Sequence, residues 1–212
     1  MRNSTMNKPI RIALALMACQ VMGGLNAQPL ESTQNCNALL TATTPTSRYD
    51  LSVASGTVLD TQVNLMWQRC PLGYQLNDGG SADFLDDDHC ELSSTAEFFW
   101  DEALLAAQDH NNGGGVGGFT DWRLPNAHEL ATVIERRCHH PALNLTVFPH
   151  TGDFHLLGNF WSATPALEQG SSFVGPRARG WNFRFGTTFR SPIDPDGPFG
   201  REVQAVRLVR DP

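Results

Sequence analysis

The chain has 212 residues, with 15 Lys and Arg against 22 Asp and Glu, and its formal net charge is −7. This acidic balance argues against nucleic acid and anionic lipid as main partners, because both are themselves negatively charged. The length suits one domain with a hydrophobic core, preceded by a short N-terminal segment.

Residues 1–27 are predicted to be a signal peptide. Three basic residues precede an apolar run at 12–25, and Ala27 supplies a small residue for cleavage. The run is short for a membrane span. We therefore expect an extracytoplasmic protein in the periplasm, on the outer surface or secreted. A rival interpretation places lipoprotein processing before Cys19. Cleavage after Ala27 would lower the net charge from −7 to −10 and leave a chain without Lys.

Four cysteines remain after the predicted leader: Cys36, Cys70, Cys90 and Cys138. An even number in an exported chain predicts two disulfides, for which three connectivities exist. Among these we expect Cys70 to pair with Cys90, and Cys36 with Cys138. The sequence has no CxxC pair, so it gives little support to a zinc ribbon or a thioredoxin-like redox site.

Residues 28–50 have no sustained hydrophobic period and predict an N-terminal arm, followed by a single domain at 51–212. The arm gives way to apolar residues that alternate around turns, which predicts strands. These residues are Val53, Val58, Val63, Leu65 and Trp67. The segment 77–89 is rich in Asp, and we interpret it as a solvated acidic loop. Calcium is the less favoured alternative, because the spacing does not fit an EF-hand.

The first helix is predicted from Ser94 and Glu97, which have the spacing of a capping box, to about His110. Its expected inner stripe consists of Trp100, Ala103, Leu104 and Ala107. The glycine-rich run at 113–118 ends this helix and lacks the Lys and Ser or Thr of a phosphate loop. We interpret the run as a flexible connection.

A strand-to-helix corner is predicted at Asp121-Trp122-Arg123-Leu124-Pro125-Asn126. Pro125 keeps the residue before it extended, and Asn126 with Glu129 forms a second capping box. The helix that follows carries Leu130, Val133, Ile134 and Arg137 at helical spacing. We expect the Trp122 ring to be buried and Arg123 to find an acceptor in Asp121 or nearby carbonyls. The corner is thus predicted to be scaffold.

The last third of the chain predicts strands again, at 160–163, 181–185 and 203–209. Alternation places Trp181, Phe183 and Phe185 on one face, and Asn182 and Arg184 on the other. Before these strands lie His139, His140, His150 and His155, whose spacing matches neither a helical HxxxH pair nor a zinc finger. We therefore expect no metal site.

Six short motifs follow one another along the chain. They are Gly56-Thr57-Val58-Leu59-Asp60 leading to Leu65-Met66-Trp67-Gln68-Arg69-Cys70, Trp100 with Ala103, DWRLPN followed by His128-Glu129-Leu130, Phe160-Trp161-Ser162-Ala163-Thr164, Gly180-Trp181-Asn182-Phe183-Arg184-Phe185-Gly186, and Ala205-Val206-Arg207-Leu208-Val209-Arg210. This series resembles a bacterial extracytoplasmic family of unknown function, typified by the C-terminal domain of the Legionella collagen-like adhesin. The resemblance covers nearly all of the chain from Gly56 onward.

The order of strands, two helices and strands predicts an α+β domain. The resemblance implies a C-type-lectin-like or formylglycine-generating-enzyme-like fold, with two helices packed on a twisted antiparallel sheet. We assign structural roles to five residues: Trp67, Trp100, Trp122, Asn126 and Trp161.

We expect no enzymatic activity and no cofactor, because the sequence lacks a GxSxG elbow, an HExxH helix and any cysteine after Cys138. The resemblance implies an adhesion module that binds a surface glycan or an extracytoplasmic protein. Alternatives are a structural component of a filament or envelope assembly, including a homo-oligomer, and, less favoured, a formylglycine-generating-like enzyme. The expected ligand-binding residues are Arg177, Arg179, Trp181, Arg184 and Arg190.

Overall fold

The computed structural model describes residues 34–77, 88–149, 158–166, 176–193 and 201–212. These residues contain two α-helices and eleven strands. The helices are α1 (Trp100–Asn112) and α2 (Ala127–Thr132). The strands are β1 (Asn35–Cys36), β2 (Tyr49–Asp50), β3 (Thr57–Asp60), β4 (Leu65–Gln68), β5 (Tyr74–Asn77), β6 (His89–Leu92), β7 (Cys138–His139), β8 (Asn159–Ala166), β9 (Arg177–Asn182), β10 (Thr187–Pro192) and β11 (Val209–Arg210). The predicted α+β class is confirmed.

These strands form antiparallel sheets. The largest has the order β11-β4-β3-β2, and a three-stranded sheet has the order β10-β9-β8. The pairs β1-β7 and β5-β6 form two smaller ribbons. A parallel bridge between Phe160 and Ala205 links β8 to the segment before β11. The C-terminal segment therefore joins the two larger sheets.

The hydrophobic core has two parts, which lie on opposite faces of β4 and of the C-terminal segment. Leu65 and Trp67 of β4 pack in the first part, whereas Met66 packs in the second. The first part also contains the α2 residue Leu130, and the second contains Ala103 of α1. Because successive side chains of a strand point to opposite faces, β4 is buried on both sides. This double burial fixes the positions of both helices against the sheets.

Both disulfides have the pairing that we expect from the sequence. Cys36 and Cys138 are joined with an S–S distance of 1.97 Å, and Cys70 and Cys90 with 2.04 Å. The Cys36–Cys138 bond links β1 and β7, which also pair with each other. The Cys70–Cys90 bond connects the segment just after β4 to β6. A buried carboxylate also attaches the N-terminal arm to the domain. Glu135 accepts hydrogen bonds from the Thr44 amide at 2.9 Å and from the Thr44 hydroxyl at 3.0 Å.

The start of α1 differs from the prediction. The helix begins at Trp100, and the Phe99 amide donates to the Glu102 carboxylate at 3.1 Å, so Ser94 and Glu97 do not cap it. Leu104 is also misplaced in the predicted stripe, since it is 40% exposed. The small residues Ala103 and Ala107, one turn apart, provide the buried face instead. Close approach of the helix to its neighbours therefore leaves Leu104 outside the contact.

Three other predicted elements end early or turn. α2 stops at Thr132, although Val133 and Ile134 remain buried beyond it. β9 stops at Asn182, whose side-chain oxygen accepts from the Phe185 amide at 2.9 Å within the turn that follows. In the predicted strand 203–209, the regular part is β11 alone, preceded by bridges.

The burial of individual apolar residues changes with these turns. Phe183 is buried, whereas Phe185 is 52% exposed, so the two rings do not share one face. Val63 was expected in a strand, but it lies in the turn between β3 and β4 and is partly exposed. Within the described ranges, neither helix has the length and apolar character needed to cross a bilayer.

Candidate functional site

The corner at Asp121–Asn126 is held by local hydrogen bonds and by contacts of Arg123 and Asp121 with the C-terminal residues Asp211 and Arg210. The Asn126 side-chain oxygen accepts from the His128 and Glu129 amides, both at 2.9 Å, and Glu129 accepts from the Asn126 amide at 2.7 Å. Both nitrogens of the Arg123 fork donate to Glu129, at 2.9 and 2.8 Å. The predicted capping box is confirmed, but the acceptor predicted for Arg123 is wrong, because Asp121 pairs with Arg210 instead.

The charge of Glu129 belongs to this scaffold. Burial alone would raise the pKa of Glu129, but hydrogen bonds from Arg123 and from the Asn126 amide lower the pKa below its ordinary value. The carboxylate is therefore ionised at neutral pH and holds the Arg123 fork in place. Trp122 is buried beside it, and its indole N–H donates to the Val116 carbonyl at 3.2 Å.

We expect Asn126→Ala to lower the free energy of unfolding by about 1 kcal/mol, because the first-turn amides of α2 lose their side-chain acceptor. Urea unfolding at neutral pH, with the disulfides intact, measures this loss. The matched control is Asn126→Asp, which retains an equally good capping oxygen and should change stability by a few tenths of a kcal/mol. Equal losses in both variants would contradict a capping role.

Tryptophans assigned structural roles differ in burial. Trp67 and Trp161 are fully buried, and the Trp161 indole donates to the Phe98 carbonyl at 2.8 Å. Trp100 is half-buried and donates to the Ser162 carbonyl at 2.8 Å. These two bonds attach β8 to Trp100, the first residue of α1, and to Phe98, which lies just before α1. They position the sheet that carries the candidate ligand-binding arginines.

Three of those arginines lie on one face of the β9-β10 hairpin. Arg179 is directly opposite Arg190, and Arg177 is opposite Pro192. Alternation along β9 places Arg177 and Arg179 on the same face, while Ala178 between them is buried on the other. Arg179 and Arg190 are exposed, and Arg177 is half-buried. We call Arg177, Arg179 and Arg190 the arginine face.

Arg184 and Trp181 do not complete this face in the way expected. Arg184 lies in the turn after β9, where its guanidinium stands 5.3 Å from the centre of the Phe185 ring. Trp181 shares the side of β9 that carries Arg179, but its indole N–H donates to the Ala127 carbonyl at 2.8 Å and its ring packs on the core. The start of α2 thus covers the Trp181 end of the arginine face.

The Arg179 side chain is exposed and is not paired with a neighbouring carboxylate of the described residues. Among the described residues, no hydrogen bond or ion pair engages the Arg179 guanidinium, whereas Arg123, Arg201 and Arg210 each pair with a carboxylate. A planar guanidinium of this kind can donate two parallel hydrogen bonds to a sulfate or carboxylate. Arg179 can therefore bind an anion by charge and by geometry, on a face that also carries Arg177 and Arg190.

The other candidate ligands of the sequence analysis fall partly outside the described residues. The acidic stretch 78–87, with the calcium alternative, lies there, as do His150 and His155. His139 and His140 are adjacent, with their Nδ1 atoms 2.7 Å apart. Within the described ranges, no group of three or more His, Cys, Asp or Glu side chains is arranged to hold a metal.

Arg207 is a buried charge that the sequence analysis does not predict. Arg207 is 2% exposed, and its Nη1 donates to the Gln68 carbonyl at 2.8 Å and to the Arg69 carbonyl. Its guanidinium lies over the rings of Phe148, at 4.9 Å, and Phe160, at 5.7 Å. Burial, and then the nearby Arg69, lower the pKa of Arg207 to about 9, so the group stays protonated at neutral pH. Arg207 is enclosed and cannot contact a ligand.

Comparison with known protein families gives a match over most of the chain. A family model described as the Lcl C-terminal domain matches residues 56–210. The match extends from the turn before β3 into β11 and includes the corner, both helices and the arginine face. Neither a search of curated proteins nor a search of solved structures found a match.

Proposed function

Because the chain belongs to the Lcl C-terminal domain family, we propose that it is an exported, non-enzymatic binding module that recognises an anionic surface glycan through the arginine face. The family is associated with an adhesin, which supports a binding role. The two disulfides support a location outside the cytoplasm, since such bonds persist mainly in oxidising compartments.

The observation that carries this proposal is the cross-strand pair Arg179 and Arg190. Their Cα atoms are register partners on adjacent antiparallel strands, so their Cβ atoms lie about 5 Å apart. Both side chains are exposed on strands whose opposite face is buried at Ala178 and Ser191. A rigid hairpin therefore presents the Arg179 fork beside Arg190, at a spacing that suits neighbouring sulfate or carboxylate groups of one chain.

The cysteines support the non-enzymatic part of the proposal. Cys36, Cys70, Cys90 and Cys138 are all in disulfides. Formylglycine-generating chemistry needs reactive thiols, so this chain offers little basis for it. We further propose that the fold belongs with C-type lectins and formylglycine-generating enzymes, since two helices accompany antiparallel sheets and long irregular segments. Fold alone does not assign the ligand.

We expect the mature domain to be retained on immobilised heparin at low salt, and Arg179→Ala with Arg190→Ala to weaken binding at least ten-fold. The reason is that binding through exposed charges is screened by salt and depends on the local cations. Affinity measured at two ionic strengths tests this. Arg136→Ala is the matched control, because Arg136 is exposed on another part of the surface and should change affinity little.

Arg184→Ala provides a second comparison, because Arg184 belongs to the turn and not to the arginine face. It should weaken heparin binding less than the double substitution does. Absence of wild-type retention at low salt, or an unchanged affinity in the double variant, would contradict the glycan proposal.

One observation favours a second candidate, in which the domain packs against a protein partner or its own copies. Leu104 and Leu105 on the outer side of α1 are 40% and 60% exposed. A contiguous exposed apolar patch, unlike a single exposed residue, marks a contact surface. If the protein does not bind heparin, size-exclusion chromatography should show an oligomer that persists at moderate salt, because salt does not screen apolar contacts.

A further inference from the structure

A polar cavity lies on another part of the domain, between β4, the β5-β6 ribbon, the end of α1 and the glycine-rich run. Its volume is about 460 Å³, which is within the range of small-molecule sites. The polar residues that line it include Ser55, Gln68, Gln75, Ser93, Ser94 and His110. None of these residues belongs to the arginine face.

The backbone around this cavity is held in fixed conformations. Gly73 has φ +88°, and a Cβ there would lie 2.3 Å from the Thr95 carbonyl oxygen. Gly115 has φ +62°, and a Cβ there would lie 1.8 Å from the Phe119 carbonyl oxygen. Both positions therefore require glycine. The Cys70–Cys90 disulfide joins the end of β4 to β6 beside the same wall. The cavity is thus preformed.

The wall is uncharged, and it combines polar side chains with apolar ones, among them Leu72, Leu76 and Val116. Gln68 is 4% exposed, and its Nε2 donates to His110 Nε2 at 2.7 Å. Burial lowers the pKa of His110 below its ordinary value of 6.5, which keeps the ring neutral at pH 7. Among the described residues that line the cavity, there is no Asp, Glu, Lys or Arg.

These properties determine the class of ligand. A charged ligand would lose its water in this cavity without gaining a counter-charge from the described wall. Hydroxyl and amide side chains both donate and accept hydrogen bonds, which matches a ligand whose own hydroxyls do the same. We propose that the cavity is a second binding site, distinct from the arginine face, for a neutral polyhydroxylated molecule of the size of one or two sugar units.

We expect saturation-transfer NMR to detect binding of at least one of three probes, D-glucose, D-galactose and D-mannose, to the mature, disulfide-bonded domain. D-glucuronate is the counter-probe, since it differs from D-glucose by a carboxylate in place of a hydroxymethyl group. We expect it to bind at least ten-fold more weakly than D-glucose where D-glucose binds, because the described wall has no cation to receive the carboxylate.

Two variants locate the site. Gln68→Leu removes the buried amide at nearly constant size, and Ser94→Trp places a ring at the exposed edge of the cavity without changing a buried residue. Each should raise the Kd of the bound sugar at least ten-fold. The matched control is Gln62→Leu, an exposed position outside the cavity, which should leave the Kd unchanged. Heparin affinity should stay unchanged in Ser94→Trp, which separates this site from the arginine face.

Three results would overturn the proposal: no transfer to any of the three sugars, sugar binding that is unaffected by Ser94→Trp, or equal binding of D-glucuronate and D-glucose. If Gln68→Leu does not fold, Ser94→Trp alone decides, because its position is exposed. Loss of heparin binding in the double arginine variant with retained sugar binding would support two independent sites.

Discussion

Trp122→Ala is expected to lower the free energy of unfolding by about 3–5 kcal/mol, which is the range for removing a large buried aromatic side chain. The ring is 2% exposed and packs in the second part of the core, edge-on to Phe119 with the ring centres 6.4 Å apart. Its backbone is held as well, since the Asn111 side chain accepts from the Trp122 amide and donates to its carbonyl, at 3.0 and 2.7 Å.

Urea unfolding, followed by far-UV circular dichroism with both disulfides oxidised, measures this loss. Phe185→Ala is the control, because the sequence pattern also places Phe185 in the core, whereas its ring is 52% exposed. We expect that variant to lose less than about 1 kcal/mol. Similar losses in the two variants would contradict the structural role of Trp122. A stable Trp122→Ala protein that no longer binds heparin would make the ring a ligand contact.

The corner could be predicted from the sequence because its interactions are local. Asn126, Glu129 and Pro125 lie within five residues, and their spacing alone specifies the cap and the extended entry. The acceptor of Arg123 was not predictable in the same way. Arg123 had a choice between Asp121 and Glu129, and only the path of β11 determines that Asp121 pairs with Arg210.

The burial of single residues in the last third of the chain was harder to predict, because it depends on where strands end. Strict alternation assigns Phe183 and Phe185 to one face, but the chain turns after Asn182 and separates them. Similarly, periodicity does not show which side of α1 meets the sheets. Ala103 and Ala107 make that contact, so Leu104 remains exposed.

The candidate ligand-binding residues could be identified by type but not by arrangement. The sequence indicated that basic residues of the last third are arginines, which suit sulfate and carboxylate. The pairing of Arg179 with Arg190 depends on the register of β9 and β10, which the turn after Asn182 fixes. That same turn removes Arg184 from the arginine face. The polar cavity was not predicted, because its walls come from four separate segments.

Arg207→Ala is the second substitution for which we expect a large effect, a loss of about 3–5 kcal/mol in the free energy of unfolding. Arg207 lies between Val206 and Leu208, which pack in one part of the core, while Ala205 and Val209 pack in the other. The substitution leaves a void between two phenyl rings and removes the donor to the Gln68 and Arg69 carbonyls.

Arg207→Met separates the two causes of this loss, because Met retains much of the volume but donates no hydrogen bond. Burying a cation is costly, and removing it recovers that cost. Here, however, two carbonyls and two ring faces stabilise the charge, and each hydrogen bond to a charged group contributes about 1.5–3 kcal/mol. We therefore expect Arg207→Met to lose about 1–3 kcal/mol, less than Arg207→Ala.

Chemical unfolding of both variants at neutral pH tests this order, with Arg136→Met as the control at an exposed position, where a change within about 0.5 kcal/mol is expected. If Arg207→Met were as stable as the unmodified protein or more stable, the cost of burying the guanidinium would exceed the contribution of its contacts. If the Ala and Met variants lost equal stability, the hydrogen bonds to the Gln68 and Arg69 carbonyls, and not the packing against the rings, would account for the contribution of Arg207 to stability.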